Sequence, residues 1–326
     1  MDPLSRRIIN GLQTGFPLTL TPFAQAGANL DLTEESLIQT IQKLLEEGLL
    51  SRFGPLYNAE RMGGGLTLAA LAVPADRDFE QVAEVVNAFP QVAHNYARDH
   101  TLNMWFVVAT ETPIELTNTL AEIENRTGLA VFNLPKLTEY RLGFQVGLDE
   151  QGGIDTVPLP ERPPAKNPGL PDEIDLKIIR ATQGGLPLVV DPYHQIARTI
   201  GMEVEALIER LKGMLEKTWI RRIGVVPNHY RLGLKANGMS VWILPEERID
   251  ALGKQIGALG FVSHCYRRPQ RLPEWPYNLF VMVHGQEREV VTARVEEIST
   301  LLGAHDRGHQ ILYSSRILKK TGLRFG

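Results

Sequence analysis

His94-Asn95-Tyr96-Ala97-Arg98 returns 170 positions later as His264-Cys265-Tyr266-Arg267-Arg268. Moving outward at the same offset, Arg61-Met62-Gly63 matches Arg231-Leu232-Gly233, and Arg52-Phe53-Gly54 matches Arg222-Ile223-Gly224. Further back, Leu18-Thr19-Leu20-Thr21-Pro22-Phe23 matches Leu188-Val189-Val190-Asp191-Pro192-Tyr193. A period this long means duplicated domains, because solenoid repeats run to roughly 20–50 residues. Two related halves in one chain predict a pseudo-twofold dimer in which each half is free to specialise.

Within each half the hydrophobic pattern changes after the first third. Leu4, Ile8, Ile9 and Leu12 recur at helical spacing. Thr21-Pro22 and Asp191-Pro192 each place a capping residue before a proline at the first helical position. A third helix follows Thr33 and stops at Gly48, with its counterpart near 202–217. Short apolar segments then lead to expected turns at Gly54 and Gly224, which completes a winged helix-turn-helix. The remainder of each half reads strand, helix, strand, strand, helix, strand, the ferredoxin-like order. In the first copy these elements fall near 64–73, 76–89, 92–98, 103–109, 112–127 and 131–141. The second copy carries a longer central hairpin, and the offset becomes 175 where Asn103 answers to Asn278.

The expected fold is therefore α+β: two tandem copies of a winged helix-turn-helix followed by a ferredoxin-like βαββαβ domain, arranged as a pseudo-twofold dimer. The expected boundaries are 1–60 and 61–146 for the first copy, and 172–230 and 231–326 for the second. Between them lies a linker at 147–171, proline-rich through Pro158, Pro160, Pro163, Pro164, Pro168 and Pro171.

The 326 residues include one cysteine, Cys265, which excludes an internal disulfide and an all-cysteine metal site. No apolar run approaches the roughly 20 residues of a membrane span. The start of the chain has no signal-peptide pattern, so a cytoplasmic protein is expected. The net charge of −4 gives no general attraction to nucleic acid.

A winged helix joined to a ferredoxin-like domain resembles the leucine-responsive (Lrp/AsnC) transcription regulators. Their reading helix enters the major groove, where cations must meet phosphates. Here the equivalent stretch, 31–48, holds Asp31, Glu34, Glu35, Glu46 and Glu47 against Lys43. Its partner carries Glu203, Glu205, Glu209 and Glu216 against Arg210, Lys212 and Lys217. Neither helix offers a positive face, and the module is expected to be scaffold.

The chemistry-bearing residues follow the repeat. On an alternating strand His94, Tyr96 and Arg98 share one face, as do His264, Tyr266 and Arg268. His229 has no counterpart, since Ala59 stands at the matching place. It lies where the two subdomains meet, a usual setting for ligand sites. His284, His305 and His309 show no partner pattern. Arg52, Arg222, Arg231, Arg98, Arg267 and Arg268 suit carboxylates or phosphates, while Trp275 and Tyr277 in the longer hairpin add an aromatic surface for a flat ring. No phosphate loop, HExxH motif or nucleophile elbow appears.

Taken together, Gly15-Phe16-Pro17-Leu18, Arg52-Phe53-Gly54, 227–233 (PNHYRLG), 264–268 (HCYRR) and 275–279 (WPYNL) are similar to the siroheme decarboxylases. The first half resembles a NirD-type subunit and the second a NirL-type subunit, over nearly everything except the linker. The resemblance implies conversion of siroheme to 12,18-didecarboxysiroheme by loss of two acetate carboxyls, on the way to haem d1 or haem. It implies an iron tetrapyrrole as substrate and no added cofactor, because the macrocycle can take the electrons. It assigns His229 and His264, with His94 as alternative, to proton transfer. Tyr266 and Tyr96 would support them, and the arginines would anchor carboxylates. A histidine could instead ligate the substrate's iron; the protein brings no metal of its own. Fusion supplies the pseudo-dimer within one chain, and two fused chains could pair again. The competing readings are a regulator sensing a tetrapyrrole or amino acid, and a haem carrier without turnover.

Overall fold

The computed structural model describes residues 1–157 and 168–321. Four prolines of the expected linker, Pro158, Pro160, Pro163 and Pro164, lie outside them. The first copy runs α1 (Pro3–Leu12), α2 (Pro22–Ala28), α3 (Glu34–Glu46), β1 (Leu50–Tyr57), β2 (Gly65–Leu71), α4 (Phe79–Asn87), β3 (Val92–Arg98), β4 (Met104–Thr110), α5 (Pro113–Thr127), β5 (Phe132–Pro135) and β6 (Thr138–Leu142). A hairpin of β7 (Gln145–Leu148) and β8 (Ile154–Val157) follows. The second copy runs α6 (Glu173–Thr182), α7 (Pro192–Ile200), α8 (Val204–Glu216), β9 (Ile220–Pro227), α9 (His229–Leu232), β10 (Ala236–Trp242), α10 (Ile249–Gly257), β11 (Val262–Arg267), β12 (Leu279–Gly285), α11 (Arg288–Leu302) and β13 (His309–Lys320).

The helix starts follow local chemistry. Asp2 accepts from the Ser5 amide at α1, Thr33 accepts from Ser36 at α3, and Asp172 forms a capping box with Asp175 at α6. α2 and α7 begin at Pro22 and Pro192 as expected, but the side chains of Thr21 and Asp191 make no capping bond. Proline's fixed φ starts these helices without the cap.

The expected turns at Gly54 and Gly224 are absent. β1 and β9 run straight through them and pair with each other, antiparallel, with Gly54 opposite Gly224. The glycines allow helix ends to touch the ribbon: a Cβ on Gly224 would meet the Leu12 carbonyl oxygen at 2.1 Å, and one on Gly54 the Leu186 nitrogen at 2.9 Å. Gly224 thus receives the end of α1, and Gly54 the backbone just after α6, each from the other copy. The two helical parts consequently share one core, in which Ile8, Phe23 and Leu37 join Ile178, Tyr193 and Leu207.

The αβ parts are exchanged in the same way. Their sheet has the order β5-β2-β4-β3-β13-β10-β12-β11-β6. β13 pairs with β10 of its own copy and then with β3 of the other. The first copy's final strand is split for the same purpose, β5 pairing with β2 and β6 with β11. Because β5 and β6 are chain neighbours at opposite ends of this order, the sheet closes on itself. Helices cover its outer face, and Trp105, Trp275, Tyr277 and Phe280 pack inside.

The linker is not extended throughout. The β7–β8 hairpin packs on α1 through Gln13, which donates to the Val146 carbonyl at 2.7 Å and accepts its amide at 3.0 Å. No helix among the described residues is long and apolar enough to cross a membrane.

Candidate active site

The two His-x-Tyr-x-Arg faces point into the closed sheet. Tyr96 lies opposite Trp105 and Tyr266 opposite Phe280, and both partners belong to the inner core. Alternation alone would put His94 on the same side as Val92, and His264 on the same side as Val262. Those valines instead sit in the outer, helix-covered cores. A register shift between Val92 and His94, and another between Val262 and His264, reverses the facing. Each bulge turns an imidazole inward.

The subdomain junction supplies the next groups. Asn228 caps α9, a single turn that presents His229 and Tyr230. The His229 ring lies 4.3 Å from Tyr230, 4.9 Å from Phe144 and 5.6 Å edge-on from His284, centroid to centroid. His284 in turn reaches Ser263 Oγ at 2.6 Å, and Ser263 Oγ lies 2.7 Å from His264 Nδ1. On the other side Lys320 stands opposite His94 in the β13–β3 pairing, with its ammonium 5.4 Å from the Tyr230 ring. The expected histidines therefore lie along one line: His94, Lys320, Tyr230, His229, His284, Ser263, His264. Tyr230, Asn237, Tyr313 and Ser314 line an adjoining cleft of about 250 Å³.

Burial sets the charge state of this line. Desolvation first, then the Lys320 charge, push His94 down to about 4 and His229 to about 3. Desolvation and Arg221 take His264 to about 4. His284 is 3% exposed and is pushed well below the ordinary imidazole value by burial, with the neighbouring imidazoles and Arg294 adding to the effect. At neutral pH all four are uncharged. Tyr96 is raised to about 12 by burial and stays a phenol.

His284 and Lys320 are the residues that sequence reasoning undervalued. The register gives the missing signal for His284: it lies opposite Asn237, as Ala109 lies opposite Leu66 in the first copy. A polar pair has replaced an apolar one.

Several expected ligand groups have other tasks. Arg52 donates to the Gln183 carbonyl at 2.9 Å and Arg222 to that of Gln13. Each caps the end of a first helix in the opposite copy, a structural exchange within the helical part. Arg98 donates to the Leu312 carbonyl at 2.5 Å and Arg268 to that of Leu134, each tying its strand to the other copy's last strand. Both remain beside the tyrosines of their own faces, with Arg98 5.9 Å from Tyr96 and Arg268 5.2 Å from Tyr266. Arg267 points the opposite way from His264 and pairs with Glu246 and Asp250. Arg231 is exposed, its guanidinium near Gly48. Trp275 is fully buried, 4.9 Å from both Trp105 and Tyr277. Trp275 and Tyr277 thus fill the sheet interior and are not an exposed ring cover, while residues 270–274 at the tip of the hairpin are exposed.

The two faces also differ in charge. Beside Tyr266, Lys136 bonds Glu60 and Glu139 at 2.6 Å each. At the matching places by Tyr96 stand Tyr230 and Ile317. Among the described residues the His94 face thus keeps a lysine, Lys320, without acidic partners of this kind, whereas on the His264 face the lysine is paired. Among the described residues no group of three or more His, Cys, Asp or Glu could hold a metal ion.

Comparison with known proteins shows the family to which these domains belong. A family model described as "AsnC-like ligand binding domain" matches residues 62–141 and 231–319. Another, "Siroheme decarboxylase NirDL-like HTH domain", matches 5–50 and 175–221. The siroheme decarboxylase of Hydrogenobacter thermophilus is 32% identical, across 98% of this chain and 94% of its own. The siroheme decarboxylase NirH subunit of Paracoccus pantotrophus is 53% identical over 154 residues, 47% of this chain and 96% of that subunit. A crystal structure of the siroheme decarboxylase NirDL in co-complex with an iron-uroporphyrin III analogue superposes with a TM-score of 0.71. It is 31% identical and covers 97% of this chain and 92% of that one.

Proposed function

This chain belongs to the siroheme decarboxylase family, and we propose that it removes the carboxyl groups of two acetate side chains of siroheme. The product would be 12,18-didecarboxysiroheme, on a route to haem d1 or haem. The observation that carries this reading is the convergence of His94, His229 and His264, from both copies, on one half-buried line.

The chemistry follows from the groups present. The bond between the acetate methylene and its carboxylate breaks and CO2 leaves, with the electron pair staying on the methylene carbon and spreading into the macrocycle. One proton per carboxyl then completes a methyl group. His229 and His264, with His94 as the alternative, are the proton-transfer groups: their imidazoles are neutral in the free protein, and substrate carboxylates beside them raise their pKa values towards the range in which an imidazole exchanges protons. No further cofactor is invoked. Lys320, Tyr230, Tyr96 and Arg98 form the anchoring side for the substrate's other carboxylates, because among the described residues that face lacks the acidic partners found beside Tyr266. The acidic residues Glu35, Glu46 and Glu47 are exposed on and beside α3 and oppose phosphate contact, which sets the regulator reading aside. We further place the enzyme in the cytoplasm, with pairing of two fused chains to be checked by ultracentrifugation.

The test is to incubate the purified chain with siroheme under anaerobic conditions and follow the tetrapyrrole by mass spectrometry. Loss of two carboxyl groups is expected. Unchanged siroheme that stays tightly bound would make the protein a carrier, and unchanged, unbound siroheme would end the proposal.

A further inference from the structure

The repeat-equivalent histidines His94 and His264 differ in what holds them. Asn237 donates through Nδ2 to the Leu234 carbonyl at 3.0 Å, which turns its Oδ1 towards His284. An amide oxygen only accepts, so His284 Nδ1 carries the proton. The neutral ring then has a bare Nε2, and Ser263, 2.6 Å away, donates its hydroxyl proton there and not to the Met282 carbonyl, which lies at the 3.5 Å limit. That hydroxyl has no second proton, so towards His264 Nδ1, at 2.7 Å, it can only accept. His264 is left protonated at Nδ1.

We propose that Asn237, His284 and Ser263 are positioning residues that lock His264 in its Nδ1–H tautomer, so that substrate can meet this imidazole only through an unprotonated Nε2. The wiring runs from a backbone carbonyl across three adjacent strands, β10, β12 and β11. The first copy lacks it: Leu66, Ala93 and Ala109 occupy the three places, and the buried Nδ1 of His94 has no hydrogen-bond partner among the described residues. Duplication alone would have kept both histidines alike. The use of this lone pair rests on the decarboxylase reading: His264 starts each turnover as an acceptor and must take up a proton before it can give one. His229, packed edge-on against His284, lies outside the lock.

The test uses the full chain, labelled with ¹⁵N at histidine and free of substrate. Long-range proton–nitrogen correlation then reads which nitrogen of His264 is protonated. The Nδ1–H form is expected in the wild type and in Ser263→Thr, which keeps the hydroxyl. In Ser263→Ala, which installs the first copy's residue, population should move to the Nε2–H form. A wild-type His264 protonated at Nε2, or an unchanged tautomer in Ser263→Ala, would overturn the lock whatever the substrate proves to be. With siroheme, Ser263→Ala should slow turnover at saturating substrate on the order of 10²-fold or more, as a misplaced tautomer does, with KM little changed, and Ser263→Thr should recover it. A shifted tautomer with unchanged turnover would overturn the use of the lone pair.

Discussion

Lys320 lies directly across from His94 in the β13–β3 pairing, so the second copy's last strand delivers a cation to the first copy's histidine. The same charge acts on His229, from the subdomain junction. In Lys320→Met we expect KM for siroheme to rise, because an anchoring cation is lost. The pKa values of His94 and His229 should also rise, moving the acid limb of the rate–pH profile to higher pH. Steady-state kinetics across pH reads both effects, and an unchanged KM would remove Lys320 from the anchoring side.

Substrate binding should draw protons from solution. His94, His229 and His264 are held near 4, 3 and 4 in the free protein, chiefly by desolvation. Carboxylates brought beside them favour the protonated form and raise these values. Affinity should therefore fall as pH rises through the raised pKa values. Calorimetry in buffers of different ionisation enthalpy measures the uptake, and identical apparent enthalpies would contradict it.

The same groups make stability depend on pH. In the unfolded chain the imidazoles titrate near 6.5, whereas the folded ones remain neutral to about 4 or below. The unfolded state binds more protons in that window, so stability is fully present above about 6.5 and is lost as pH falls towards 4. Thermal unfolding from pH 7 to pH 5 should show a falling Tm, with a shallower slope in His94→Gln. A Tm independent of pH would show that these rings are not buried neutral.

The copy-to-copy ribbon should not tolerate a methyl group at its centre. A Cβ at Gly224 falls 2.1 Å from the Leu12 carbonyl oxygen, which is backbone and cannot swing away. Gly224→Ala is expected to cost about 1–3 kcal/mol or more, as overpacking does. Denaturant unfolding measures the loss. Gly213→Ala, with open space around its Cβ position, is the control and should unfold like the wild type or later.

The duplicated α+β architecture was legible because repeats and hydrophobic period survive in a single sequence. The exchange between copies was not. Nothing local in Leu50–Tyr57 says that its partner lies 170 residues away, so a turn was expected where Gly54 meets Gly224. The same gap misassigned Arg52 and Arg222, whose residue type suited carboxylates but whose donors meet helix-end carbonyls of the opposite copy. Trp275 and Tyr277 were visible as an aromatic hairpin, yet only the closure of the sheet decides that they face a core. Comparing the copies singles out His94, His229 and His264 as candidates. His284 escaped, because its partner Asn237 is 47 residues away and only register brings them together.

The most direct measurement is single-turnover decarboxylation of siroheme, followed anaerobically by mass spectrometry, in wild type, His229→Ala and His264→Ala. The wild type should shed two carboxyl groups, and each variant should slow the reaction about 10²–10⁴-fold, as loss of a general acid or base does, while still binding the tetrapyrrole. Siroheme left intact by the wild type, or both variants turning over at the wild-type rate, would contradict the assignment of proton transfer to these histidines.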